Sequence, residues 1–174
     1  MVSDSLIVRD LVIPLKSYPH LKENQTLHEA VAEIYSFTCG ETNRIRYSEI
    51  LILNDRNQLS GHVTLLDILQ NLDPRLKEAT KIKEFEGKGS EFHNLIILWE
   101  DSFFIECTKR SHIPIREFMS PIRHTVNGND SVLKALAIMA GTKDVALPVV
   151  DEKHVIGVIR LKEIFKAIAA RCRI

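Results

Sequence analysis

Apolar residues recur along this chain in two periods, and the order of those periods occurs twice. Leu27, Ala30, Val31 and Ile34 fall at i, i+3, i+4 and i+7 behind Thr26, a favourable N-cap, which predicts a helix with one apolar face. The polar stretch from Ser36 to Ser48, which holds Gly40, Arg44 and Arg46, is predicted as a loop. Ile50-Leu51-Ile52-Leu53 is a continuous apolar run suited to a buried strand. Asn54-Asp55-Arg56-Asn57 has turn chemistry, so the segment from Leu59 to Val63 should return as the second arm of a hairpin. Leu65, Ile68, Leu69 and Leu72 then mark a closing helix that stops before Pro74. With the apolar leader from Leu6 to Leu15, broken near Pro14 and Pro19, the first half reads β-α-β-β-α.

The second half copies that order. Pro121 answers Pro14, and Ser131 answers Thr26 as N-cap. Val132, Ala135, Leu136 and Met139 repeat the helical spacing, and Leu161, Ile164, Phe165 and Ile168 repeat the closing helix. Ala146-Leu147-Pro148-Val149-Val150-Asp151 followed by Ile156-Gly157-Val158-Ile159 repeats the hairpin, with Gly157 lying 96 positions after Gly61. The helix caps Thr26 and Ser131 are 105 apart, so the first copy carries 9 extra residues ahead of its central strand. An internal duplication takes precedence over any local reading. It divides the chain into a first repeat at 6–73, a connecting segment at 74–114 and a second repeat at 115–171. The connecting segment is charge-rich from Arg75 to Lys88. Ser90 then opens a predicted helix with Phe92, Leu95, Ile96, Trp99 and Phe103 on one stripe, an element expected to cover the module, with joining two subunits as the alternative. A strand from Asn94 to Trp99 is the alternative, because short apolar runs fit either period.

Composition narrows the class of function. A length of 174 residues and 45% apolar content suit one compact domain or two small halves sharing a core. Basic and acidic residues balance at 23 each, so no long-range field favours nucleic acid, although Arg44, Arg46 and Arg160 would form a local patch. The N-terminus lacks the pattern of a signal peptide, and runs such as Ala135 to Ala140 fall far short of the ~18 residues of a membrane span, so no membrane partner is expected. Cys39, Cys107 and Cys172 form no C-x-x-C pair, which points away from zinc and disulfides and towards a reducing cytoplasm. His93, His112 and Cys107 are a weak metal-ligand candidate, and no histidine pair has metal spacing. No nucleophile elbow, Walker loop or zincin helix is present, so an enzyme is not expected.

The candidate chemistry lies at the start of the closing helices. In Gly61-His62-Val63-Thr64-Leu65-Leu66-Asp67, Thr64 at N-cap and Asp67 three residues on share the first helical turn. Free backbone N–H groups there favour a phosphate, and a carboxylate is able to accept from both hydroxyls of a ribose. The same spacing also makes a capping box, which needs no ligand.

These residues and the hairpin signature resemble the CBS domain family, named after cystathionine beta-synthase, over about 6–73 and 115–171; His62 stands where the family usually has an apolar residue. The resemblance implies an α+β fold of two βαββα repeats related by a pseudo-two-fold axis, here with an inserted helix between them. It also implies a central cleft for an adenosine-containing ligand such as AMP, ADP, ATP or S-adenosylmethionine, no required cofactor, and assembly as a homodimer. Carried onto this chain, Gly61, Thr64 and Asp67 form one site, with Ile122, His124, Val145, Ala146 and Pro148 on its adenine side. At the second site Arg160 replaces the Thr/Ser and Glu163 the Asp. Glu163 is long enough to reach a ribose and Arg160 to pair with phosphate, or Arg160 and Lys162 form a solvated face. One intact site and one impaired site are expected. The expected function is a regulatory nucleotide-binding module acting on an effector protein that the sequence does not identify; the alternative is a dimerisation scaffold that has lost its ligand.

Overall fold

The computed structural model describes residues 6–39, 44–79 and 100–172. In chain order the elements are β1 (Ile13–Pro14), β2 (His20–Lys22), α1 (Leu27–Ser36), β3 (Thr38–Cys39), β4 (Arg44–Ile45), β5 (Glu49–Leu53), β6 (Leu59–Thr64), α2 (Leu65–Leu72) and α3 (Arg75–Ala79). They continue with α4 (Glu100–Arg110), β7 (Val126–Asn127), α5 (Val132–Thr142), β8 (Ala146–Asp151), β9 (His154–Arg160) and α6 (Leu161–Cys172). The two βαββα units are therefore β2-α1-β5-β6-α2 and β7-α5-β8-β9-α6, an α+β fold.

Local chemistry accounts for the elements. Thr26 accepts from Glu29 N at 3.3 Å while the Glu29 carboxylate takes the Thr26 N–H at 2.7 Å, a closed capping box at the head of α1. Leu27, Ala30 and Ile34 on that helix are buried, as the helical spacing requires. Ser131 caps α5 in the same way, accepting from Lys134 N. The apolar run 50–53 is buried along its whole length in β5, which lies between β2 and β6. In both units the first strand is parallel and the last antiparallel to the central one.

Three expectations change. The segment from Ser36 to Ser48 is not all loop: β3 and β4 pair antiparallel, and this small hairpin takes up much of the first repeat's extra length. The connecting segment contains α3 in its charge-rich part, and α4 is described from Glu100 onward. Phe103 on it is half-buried, but Phe104 and Ile105 are 64% and 56% exposed. The predicted residues Phe92, Leu95, Ile96 and Trp99, and the alternative strand, lie outside the described residues. Leu69 was assigned to the apolar face of α2, yet it is 48% exposed; Ile68 carries the burial.

The leader of each repeat packs on the other repeat. β1 adds to the second sheet, with Ile13 opposite Val158 and Pro14 opposite Gly157. Val8 is fully buried among Val126, Val132 and Ile164. Conversely, Ser120 and His62 exchange backbone hydrogen bonds of 2.9 Å, and Ile115 is fully buried among Leu27, Ile50 and Ile68. The exchange is reciprocal position by position: Val8 and Ile115, and Pro14 and Pro121, are each 107 apart. It also explains the two repeated glycines. A Cβ at Gly61 would lie 2.7 Å from the Ser120 carbonyl oxygen, and one at Gly157 would lie 2.0 Å from that of Ile13. A third cluster, built on Tyr18, Tyr47, Leu51, Val155 and Val158, joins the two sheets.

Candidate functional site

The crossed packing leaves a cleft at the N-terminus of each closing helix. The first, about 640 Å³, lies between Thr64 of the first repeat and the entry to the second. It gathers five residues expected from sequence, Ile122, His124, Val145, Ala146 and Pro148, beside Thr64. Gly61 and Asp67 do not line it. Gly61 is buried beneath Ser120, and Asp67 is turned into the helix cap. Asp67 Oδ2 accepts from Thr64 N at 2.8 Å and from the Thr64 hydroxyl at 2.7 Å, while Asp67 N donates back to Thr64 Oγ1 at 3.1 Å. Both bonds use one carboxylate oxygen. Among the described residues, Oδ1 accepts none.

The walls of this cleft hold two histidine–carboxylate pairs, His62 with Glu49 at 3.4 Å and His124 with Asp144 at 3.5 Å. The hydrogen bond to Glu49 raises the His62 imidazole above its usual value; burial opposes the rise, and the charges of Glu49, Asp67 and Asp144 add to it.

The second cleft, about 730 Å³, lies between the start of α6 and the first repeat. Arg160 lines it, and Glu163 does not. These two residues bind each other: Arg160 Nε donates to Glu163 Oε2 at 2.9 Å and Nη2 donates to Oε1 at 2.6 Å. Both oxygens are taken by one guanidinium fork. Burial pushes the Glu163 carboxyl up, but the hydrogen bond and charge of Arg160 outweigh it and hold the group below its usual value. The same bond raises Arg160. The Arg160 guanidinium also lies 5.2 Å from the Tyr47 ring centre, and that of Arg46 lies 5.9 Å away.

Glu49 lines both clefts. Its Oε1 accepts from the Tyr18 hydroxyl at 2.8 Å and its Oε2 faces His62, so a polar chain Tyr18–Glu49–His62 runs from one cleft to the other. Burial, with the Glu49 charge next, drives the Tyr18 phenol far above its usual range and keeps it a donor. Sequence reasoning missed Glu49, Tyr18 and Tyr47. For Glu49 the signal was the duplication itself: Glu49 lies opposite Thr64 as Ala146 lies opposite Arg160, so Glu49 holds the position of the expected site residue Ala146. Strand register aligns Lys22 with Asn127, the same offset as the helix caps Thr26 and Ser131, so Tyr18 falls on Arg123 and has no counterpart among the expected site residues.

Among the described residues no cluster of three or more potential metal ligands occurs, and no helix is long and apolar enough to cross a membrane.

Crossed βαββα repeats with a cleft at each helix start define a class, the paired CBS fold. The CBS domain family model matches residues 115–170, all but the last residue of the second repeat. In three dimensions the chain superposes on a CBS domain-containing protein of unknown function from Kribbella flavida with a TM-score of 0.71, at 15% identity over 95% of this chain and 99% of that one. The CBS-pair protein CBSX2 from Arabidopsis thaliana gives 0.66 at 18% identity, over 98% and 99%. A structure of CBSX2 in complex with AMP gives 0.64 at 18% identity, over 95% and 98%. No curated protein matches the chain. The chain is a tandem CBS pair in fold, with a CBS domain matched directly in its second half.

Proposed function

We propose that this chain is a regulatory module that binds an adenosine-containing nucleotide in the first cleft. The observation carrying this reading is a cleft of about 640 Å³ lined by Thr64, whose cap partner Asp67 keeps Oδ1 unpartnered among the described residues. That oxygen is able to accept from a ribose hydroxyl, and the positive end of the α2 dipole favours a phosphate, with Leu65 N and Asp67 N already donating to Ser48 O and Thr64 Oγ1. Ile122, Val145, Ala146 and Pro148 offer an apolar wall for a base. CBSX2 was solved with AMP, which supports the ligand class. The ligand acts by binding one packing of the repeats better than another, since only differential affinity moves an equilibrium. The output is self-association or a partner protein, and no chemistry is performed on the nucleotide.

A dimerisation scaffold without ligand is the second reading. It is favoured by exposed apolar side chains on the closing helices, Leu66 at 59%, Leu69 at 48% and Phe165 at 70%.

Calorimetric titration of AMP, ADP, ATP and S-adenosylmethionine tests the first reading. Binding of one of them near one per chain, weakened at least tenfold in both Asp67→Ala and Asp67→Asn, is expected. Silence across the panel from folded protein overturns the sensor and leaves the scaffold, which sedimentation of a Phe165→Glu/Leu69→Glu variant then checks.

A further inference from the structure

A cavity of about 350 Å³ lies beside the edge strand β2 and shares no residue with either cleft. His154 opens β9 at this cavity, while Arg160 closes that strand at the second cleft, so the two lie at opposite strand ends, about 20 Å apart. His20 and Lys22 stand two apart on β2 and therefore project to one side of it. Lys22 is half-buried, and its ammonium group donates to Asn54 O at 2.7 Å and to Asn57 Oδ1, leaving one N–H over. Both acceptors are neutral. Among the described residues no carboxylate lines the cavity and none forms a salt bridge with Lys22, so its charge stands there uncompensated. Glu33 takes the His20 backbone N–H, at 3.1 Å, rather than the ring. His20 Nδ1 lies 2.8 Å from Tyr18 O, which is solely an acceptor, so Nδ1 carries the hydrogen and Nε2 is left over. The second imidazole, His154, comes from the other repeat, and buried Leu21, Leu53 and Val155 complete the lining.

We propose that this cavity binds a phosphate group, held between the two repeats by Lys22, His20 and His154. A phosphate suits these partners better than a carboxylate or a sulfate. One oxygen accepts from the Lys22 ammonium, and one proton shared between another oxygen and His20 Nε2 satisfies both, whichever of them carries it. A carboxylate or sulfate brings no such proton at neutral pH. The cavity is larger than one phosphate, so a small phosphate ester also fits. The site stands independently of nucleotide binding in the first cleft.

The probes are inorganic phosphate, isobutyl phosphate and sulfate, titrated calorimetrically into the full chain in phosphate-free buffer, with the histidine ring protons followed by nuclear magnetic resonance. Both phosphates should bind near one per chain and at least tenfold more tightly than sulfate; the tighter of the two tells whether a free ion or an ester is the occupant. The ring signals of His20 and His154 should shift, and those of His62 and His124 should stay. Binding should weaken at least tenfold in Lys22→Met and in His154→Glu. Lys22→Met also removes a tie to the turn between β5 and β6, whereas His154 is exposed, so the second variant reads binding without a change of fold. Binding that AMP displaces, or that both variants retain, would put the phosphate elsewhere and overturn the proposal. Sulfate bound as tightly as phosphate overturns it, and so does silence at millimolar phosphate. AMP silence with phosphate bound would remove the nucleotide reading and leave this one intact.

Discussion

The two clefts come from one duplicated plan, yet at matching positions they hold opposite chemistry. Position 64 is a threonine whose hydroxyl shares one oxygen of Asp67; position 160 is an arginine whose fork takes both oxygens of Glu163. At the first helix start Asp67 keeps one oxygen free of its cap, and the neighbouring cleft has a wall of Ile122, Val145 and Pro148. In the second the acid is spent and the wall is aromatic and basic. A helix start is neutral scaffolding in both: whether it offers an acceptor or a cation depends on one side chain. Duplication preserves backbone geometry more strictly than a ligand class, because strand crossing constrains the glycines in both repeats, whereas position 160 is held by side-chain contacts with Glu163 and Tyr47 that the first repeat does not copy.

The largest effect that would break the symmetry is on stability. Gly157→Ala sets a Cβ 2.0 Å from a backbone oxygen, so β1 must leave the sheet, at a cost of about 3 kcal/mol or more. Gly61→Ala meets Ser120 O at 2.7 Å and should cost about 1–2 kcal/mol. Urea midpoints measure both, and equal costs would mean the two crossings are equally tight.

Next comes a change of binding rather than of fold. Arg160→Thr frees Glu163 and recreates the arrangement of the first cleft. AMP stoichiometry by calorimetry should rise from one towards two per chain. A stoichiometry still at one would assign the difference to the cleft walls instead.

The smallest effect is a titration. His62, raised by Glu49, should titrate above the ordinary imidazole value in a nuclear magnetic resonance pH series. Because its folded-state value is raised, it favours the folded state fully below the ordinary imidazole value. That contribution fades as pH rises through the folded-state value. Glu49→Gln removes the main cause, so the His62 titration should move down; an unmoved curve would leave Glu49 without influence on the first cleft.

Much of this was legible along the chain. The apolar spacing of Leu27, Ala30 and Ile34, the Thr26 cap and the run 50–53 each depend on neighbours within a few residues, and each formed as read. The pairing of Arg160 with Glu163 is also within reach of the sequence, since the two are i and i+3 at a helix start, although a ligand-binding role and a solvated face are the readings that the residues themselves suggest. Leu69 misled because helical period tells which residues share a face, and the covering elements decide how far that face is buried.

By itself, then, the sequence determined the two βαββα units, their order and the candidate residues at the helix starts, because caps, turns and periodicity are short-range properties. Only the tertiary structure decided that Val8 is buried in the second repeat and Ile115 in the first. It alone placed Glu49 between the clefts, in contact with Tyr18 and His62. It also turned Asp67 into its cap with one oxygen left over. Those outcomes depend on contacts between segments far apart in the chain, and on which lone pairs remain after packing is complete. Neither is written in the spacing of residues.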